Sequence, residues 1–110
     1  MEITNLEQLH TTDDLTQITA CKIEKTHVDN SSFELICKMI NLRTLQLMNT
    51  ILKLLPKSIG NLTQLQELNL HYNKLQTLPE SIGNLTQLQT LNLPDNKLKS
   101  LPESFSNLTQ

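Results

Sequence analysis

Tryptophan is absent from this chain of 110 residues, and one Tyr and two Phe are its aromatics. A core without large rings must be filled by aliphatic side chains, and Leu alone supplies about a fifth of the residues. Glycine is equally scarce: two residues cannot form a glycine-rich phosphate loop. No apolar run approaches the ~20 residues of a membrane-spanning helix, and residues 1–15 lack the basic start and apolar stretch of a secretory signal. An excess of positive charge is missing as well. Lys and Arg number 9 against 11 Asp and Glu, which excludes the basic field that nucleic acid or an anionic membrane surface needs. The two cysteines, Cys21 and Cys37, are no disulfide framework. Both fall on apolar positions of the pattern described below, so buried, reduced thiols in a reducing compartment are expected.

What the chain does have is a repeat. LTQLQELNLHYNKLQTLPESIGN, from Leu62 to Asn84, and LTQLQTLNLPDNKLKSLPESFSN, from Leu85 to Asn107, are equal in length and differ at seven positions. A fixed period of about 23 residues is the mark of a solenoid, in which each unit buries the same positions against its neighbours. Within a unit the Leu residues recur as LxxLxLxxNxLxxLP.

Two earlier units extend the series. Residues 39–61 keep Leu42, Leu45, Leu47, Leu52, Leu55, Pro56 and Ile59 in register, with Thr50 in place of the Asn. Residues 15–38 are a degenerate unit in which Leu15, Ile18, Cys21, Ile23, Thr26 and Val28 take the repeat positions. Its second half, SSFELICKMI, has Ser31 and Glu34 at capping-box spacing and Phe33, Ile36, Cys37 and Ile40 at helical intervals. This return segment is expected to be a true helix. Residues 1–14 are no repeat; Thr4 and Glu7 suggest a second capping box, and Ile3, Leu6 and Leu9 predict a short helix from Thr4 to about His10 that caps the first unit. After Asn107 three residues begin a fifth unit, and no C-terminal cap is recognisable. The Leu88, Leu91, Leu93 and Leu98 layer is therefore expected to lie partly open unless something covers it.

The segment LPKSIGNLTQLQELNLHYNKLQTLPESIGN, Leu55 to Asn84, resembles the intracellular LPxxIxxL-type leucine-rich repeats. Ras-group eukaryotic proteins and many bacterial proteins share that class, and this chain is most similar to small bacterial repeat proteins, a group that includes effectors delivered into host cells. The resemblance implies an α/β fold: a right-handed solenoid of about four repeats of 23–24 residues. A short parallel sheet would line its concave side, with helical or 3₁₀ return segments, begun by Pro56, Pro79 and Pro102, on the convex side. It also implies a ladder of Asn side chains inside the turns after the strands. With Thr at positions 26 and 50, the ladder should be complete only from Asn73 and Asn96, because a hydroxyl cannot supply an amide's donor-plus-acceptor pair.

The same resemblance implies a protein-binding module with no catalytic residues and no cofactor. Strand alternation puts the x positions of LxxLxLxx on the concave surface. There they form four columns: Ala20, Thr44, Glu67, Thr90; Lys22, Gln46, Asn69, Asn92; Glu24, Met48, His71, Pro94; and Lys25, Asn49, Tyr72, Asp95. Three of the seven differences between the last two units fall here, at 67/90, 71/94 and 72/95, and they are the least conservative ones. A repeated scaffold with a changing exposed face is the pattern of a recognition surface, although drift at unconstrained positions produces the same pattern. Met48, His71 and Tyr72 form its expected centre, flanked by Gln46, Glu67, Asn69, Asn92, Pro94 and Asp95.

No metal site is expected, since His71 has no second His or Cys at ligand spacing. Three of the N-x-S/T sequences, at Asn61, Asn84 and Asn107, are one repeat position and read as turn residues rather than glycan sites. The leading functional reading is a cytoplasmic protein, in the bacterial cytosol or, as an effector, inside a host cell. It would be a monomer or one member of a complex, occluding or regulating a partner protein. The alternative is the N-terminal recognition part of a longer protein whose activity, a ubiquitin ligase or another enzyme, lies beyond Gln110. An extracellular recognition domain is the third reading.

Overall fold

The computed structural model describes residues 2–93 and, beyond them, Asn96, Leu98, Pro102 and Glu103. Five parallel strands form one sheet in the order in which they occur in the chain: β1 (Glu2–Ile3), β2 (Ala20–Glu24), β3 (Thr44–Met48), β4 (Glu67–Asn69) and β5 (Thr90–Asn92). Parallel neighbours need a crossover between them. Here the helical segment of the crossovers tightens along the chain, from the α-helices α1 (Leu6–Thr11) and α2 (Asn30–Ile36) to the 3₁₀ turns Lys57–Asn61 and Glu80–Asn84. The α/β leucine-rich repeat architecture expected from the motif is the one observed.

The core is a stack of aliphatic layers. Cys21, Leu45, Leu68 and Leu91 are register partners on successive strands, the first three fully buried and Leu91 partly so. Behind them Leu52, Leu75 and Val28, then Leu55, Leu78, Ile59 and Ile82, fill the space down to the return segments. Burying a side chain of this size contributes about 1.5–3 kcal/mol, so the repeat of one residue type sets a repeat of one layer energy. Leu91, Leu93 and Leu98 pack on this core while keeping partial exposure.

The N-terminal segment departs from the sequence expectation. The helix expected from Thr4 to about His10 is present at Leu6–Thr11, but a strand precedes it: Ile3 pairs with Cys21 and is buried, and Glu2 lies beside Ala20. Two residues are too few to display a period of two. The helix that follows is capped by Asn5, not Thr4: the Asn5 Oδ1 accepts from the Gln8 amide at 2.9 Å. Gln8 answers by accepting from the Thr4 amide at 2.6 Å and hydroxyl at 3.1 Å. Asn5 and Gln8 repeat the Thr4–Glu7 spacing one residue later, and Leu9 of this helix is buried.

Helix α2 is also capped earlier, two residues before the Ser31 that its spacing to Glu34 suggests. The Asp29 carboxylate accepts from the Ser32 amide at 2.9 Å and the Ser31 hydroxyl at 3.1 Å. Glu34 reaches instead to the next return segment and accepts from the Ser58 hydroxyl at 2.8 Å. Phe33, Ile36 and Cys37 are buried as expected, but Ile40 is 50% exposed. The helix ends at Ile36, so extrapolating its period fails there and Met39 takes the buried position.

The Asn ladder is formed where the sequence has Asn. Asn73 donates to the carbonyls of Leu47 at 2.7 Å, Leu70 at 3.1 Å and His71 at 3.1 Å. Asn96 repeats the pattern one unit on, donating to Leu70 O at 2.7 Å and Leu93 O at 3.2 Å. At the N-terminal end Thr26 is exposed, and its hydroxyl makes a local bond of 3.3 Å to Glu24 O.

Candidate protein-binding face

Backbone register aligns the outward residues of the sheet into columns. Glu2 precedes Ala20, Thr44, Glu67 and Thr90 in one; Lys22, Gln46, Asn69 and Asn92 form the next. Glu24 pairs with Met48. The register then continues past the strands, because Lys25 donates to Met48 O at 3.1 Å and Asn49 to His71 O at 3.0 Å. Those two bonds put Lys25, Asn49 and Tyr72 at one repeat position. Pro94 and Asp95 lie outside the described residues.

The face is lightly cross-linked. Gln46 Nε2 donates to Glu67 Oε2 at 2.9 Å, joining β3 to β4. Asn69 Oδ1 accepts from the His71 amide at 3.3 Å and so turns toward the strand end. Lys22 and Glu2 form an ion pair at 3.4 Å; both are well exposed, and such pairs contribute little to stability. Met48 is half-buried and lines a shallow groove with Lys22, Glu24 and Gln46.

His71 and Tyr72 stand edge-to-face, with ring centroids 5.8 Å apart and planes at 71°. Tyr72 is nonetheless 57% exposed. Its backbone is left-handed, φ 57°, as are Asn49 at 57° and Lys25 at 56°. Asn tolerates that conformation, whereas a Tyr or Lys there costs on the order of 1 kcal/mol. The turn after each strand imposes this geometry, and Tyr72 is thereby lifted out of the sheet edge. The structure thus brings Gln46, Met48, Glu67, Asn69, His71, Tyr72 and Asn92 onto one surface. Glu2 joins that surface without having been expected there, since a two-residue strand leaves no pattern to read.

Cys21 and Cys37 are buried and free. Burial, aided by Glu2 for Cys21 and Glu34 for Cys37, pushes each thiol up to about 12, far from the reactive thiolate range. Among the described residues no group of three or more His, Cys, Asp or Glu is placed to hold a metal ion. No helix among them is long and apolar enough to cross a membrane.

A layered parallel sheet under periodic Leu residues, with an exposed and variable outer face, defines a class, and sequence comparison agrees. The family model for the leucine-rich repeat region matches residues 2–110, and the chain belongs to that family. Its members are typically interaction scaffolds without catalysis of their own. A solved leucine-rich repeat protein from Leptospira interrogans is similar over 97% of this chain, at 32% sequence identity and a TM-score of 0.78. The chain spans 28% of the length of that protein. A search of curated proteins found no match.

Proposed function

We propose that the chain binds a partner protein through its concave face, with Met48, His71 and Tyr72 at the centre of the footprint. Gln46, Glu67, Asn69 and Asn92 surround them, and the sequence pattern extends the site to Pro94 and Asp95. One observation carries this reading: a 57% exposed Tyr held at φ 57° on an otherwise repeated scaffold. Tyr is a frequent anchor of protein interfaces because it buries a large rigid ring and keeps a polar tip. A surface of roughly 800 Å² suffices to occlude a partner's functional site, which suits a regulator or effector acting by occlusion. Two buried free thiols favour a reducing setting, the cytoplasm of the source or of a host cell.

A partner captured by cross-linking should lose more than ~1 kcal/mol of affinity on Tyr72→Ala or Met48→Ala. The sharper variant is Tyr72→Asn, which suits the left-handed backbone and removes the ring. Stability should hold while affinity falls; unchanged affinity in all three variants would refute the concave-face site.

The second reading, recognition by one portion of a longer protein, draws on the much greater length of the Leptospira relative. Mapping the native gene product past Gln110 tests it. In that case the same face would select the target and a following domain would act on it.

A further inference from the structure

The flank where the strands hand over to the return segments also keeps apolar groups in water. Ile51 is 47% exposed and Leu54 is 65% exposed, beside a hollow of about 440 Å³ that they share with Val28 and Asp29. Leu54 also walls the adjoining hollow, where Lys53 and Lys74 stand with Gln76 and Thr77. Ile51 has a left-handed backbone at φ 58° although it is β-branched, and such a residue is held there only by its surroundings. Leu52, next to it, donates to Asn73 Oδ1 at 3.1 Å, and Lys74 donates to Leu52 O at 2.7 Å. The turn is thus pinned with Ile51 outward.

On the side of Lys53 and Lys74 the charge of this flank is positive. The segments from Thr50 to Lys57 and from Asn73 to Pro79 contain no Asp or Glu. Among the described residues neither Lys53 nor Lys74 makes an ion pair. Among the described residues that line the two hollows the carboxylate is Asp29, which lies in the hollow shared with Ile51 and is occupied in capping α2.

We propose that this flank is a second docking surface, taking an extended acidic segment of a partner protein. One aliphatic or aromatic side chain of that segment seats beside Ile51 and Leu54, and its carboxylates lie over Lys53 and Lys74. Asp29 sets the direction by repelling acidic residues from the other side of the anchor. The surface is separate from the concave face and does not depend on it.

The test is fluorescence anisotropy with labelled peptides of about 12 residues, each with one Leu or Phe and Asp or Glu residues to one side of it, against twins carrying Lys instead. The acidic peptides should bind at low ionic strength, weaken as salt rises, and exceed their Lys twins by about tenfold or more. Leu54→Ser and Ile51→Asn should each weaken binding about fivefold or more without lowering the thermal melt. The double variant Lys53→Glu/Lys74→Glu should reverse the preference toward the Lys twins. Met48→Ala and Tyr72→Ala, on the concave face, should leave peptide affinity unchanged. Equal binding of both peptide classes, no binding of either, or loss through the concave variants alone would overturn the proposal. So would binding to phosphatidylglycerol vesicles in place of the acidic peptides.

Discussion

Asn73 holds Thr50 by both of its polar backbone and side-chain donors: Asn73 Oδ1 accepts from the Thr50 amide at 3.0 Å and from the Thr50 hydroxyl at 2.9 Å. With the Leu52 amide and three carbonyls added, one buried side chain serves six groups across two repeats. Asn73→Ala should therefore destabilise by upwards of ~3 kcal/mol, since several buried groups lose their partner together. Thr50→Val is nearly isosteric and leaves Asn73 Oδ1 two other donors, so it should cost about 1 kcal/mol or less. Urea melts of the two variants give the comparison, and a larger loss from Thr50→Val would contradict the ladder.

A different limit governs the return segments. Gly60 lies in the Lys57–Asn61 turn, buried against the following one, and a Cβ there would meet Ser81 Cβ at 2.8 Å and Ser81 O at 2.9 Å. The second of these atoms is backbone and cannot rotate away. Gly60→Ala should cost about 1–3 kcal/mol by overpacking, whereas Ser58→Ala, at a more open position of the same turn, should stay within about 0.5 kcal/mol. Thermal melts will show whether the two turns can move apart.

Strain makes the opposite prediction at Ile51. Asn or Gly suits a φ of 58° better than a β-branched residue does. Ile51→Asn should stabilise by about 1 kcal/mol, raising Tm by roughly 4–8 °C for a chain of this size. Ile51→Val keeps the strain and should change little. A fall in Tm with Asn would mean that the exposed Ile contributes packing that outweighs its backbone cost.

Two helix caps set an acid limb. Asp29 is held below its ordinary 3.8 by the Ser32 amide first, then the Ser32 and Ser31 hydroxyls. Asp14 is held below the same value by the Thr16 hydroxyl and amide. A lowered folded-state value means the folded chain holds its proton less tightly than the unfolded chain. Both caps then stabilise fully above 3.8, and the contribution fades as pH falls through the lowered values. The double variant Asp14→Asn/Asp29→Asn keeps acceptor oxygens without the charge, and should flatten stability against pH in that acid range. A pH series of denaturant melts from neutral to strongly acid measures the slope.

How far these features could be read in advance depends on their range. Periodic Leu residues announced the layers because each repeat position meets its own copy one unit away. The concave columns followed from strand alternation, and their register from the repeat motif, which keeps its strand positions through units of 23–24 residues. Local signals at the N-terminal end misled by a residue or more: Thr4 and Ser31 have the right spacing, but Asn5 and Asp29 are the caps used. With these caps Leu9, Phe33 and Ile36 are buried, a tertiary fit that local spacing does not carry. Ile40 was misplaced for the same reason, since a helical period holds only as far as the helix does.

By itself the sequence determined the repeating architecture, the identity of the buried layers and the residues that alternate outward from them. These rest on period and side-chain type, which a chain carries regardless of its partners in space. Only the tertiary structure decided that Glu2 and Ile3 complete the sheet and that Asn73 ties Thr50 and Leu52 into the next repeat. It also decided that Tyr72 and Ile51 stand outward on left-handed backbone. Each depends on hydrogen bonds or packing between residues some 20 positions apart, and such contacts exist only once the repeats have stacked.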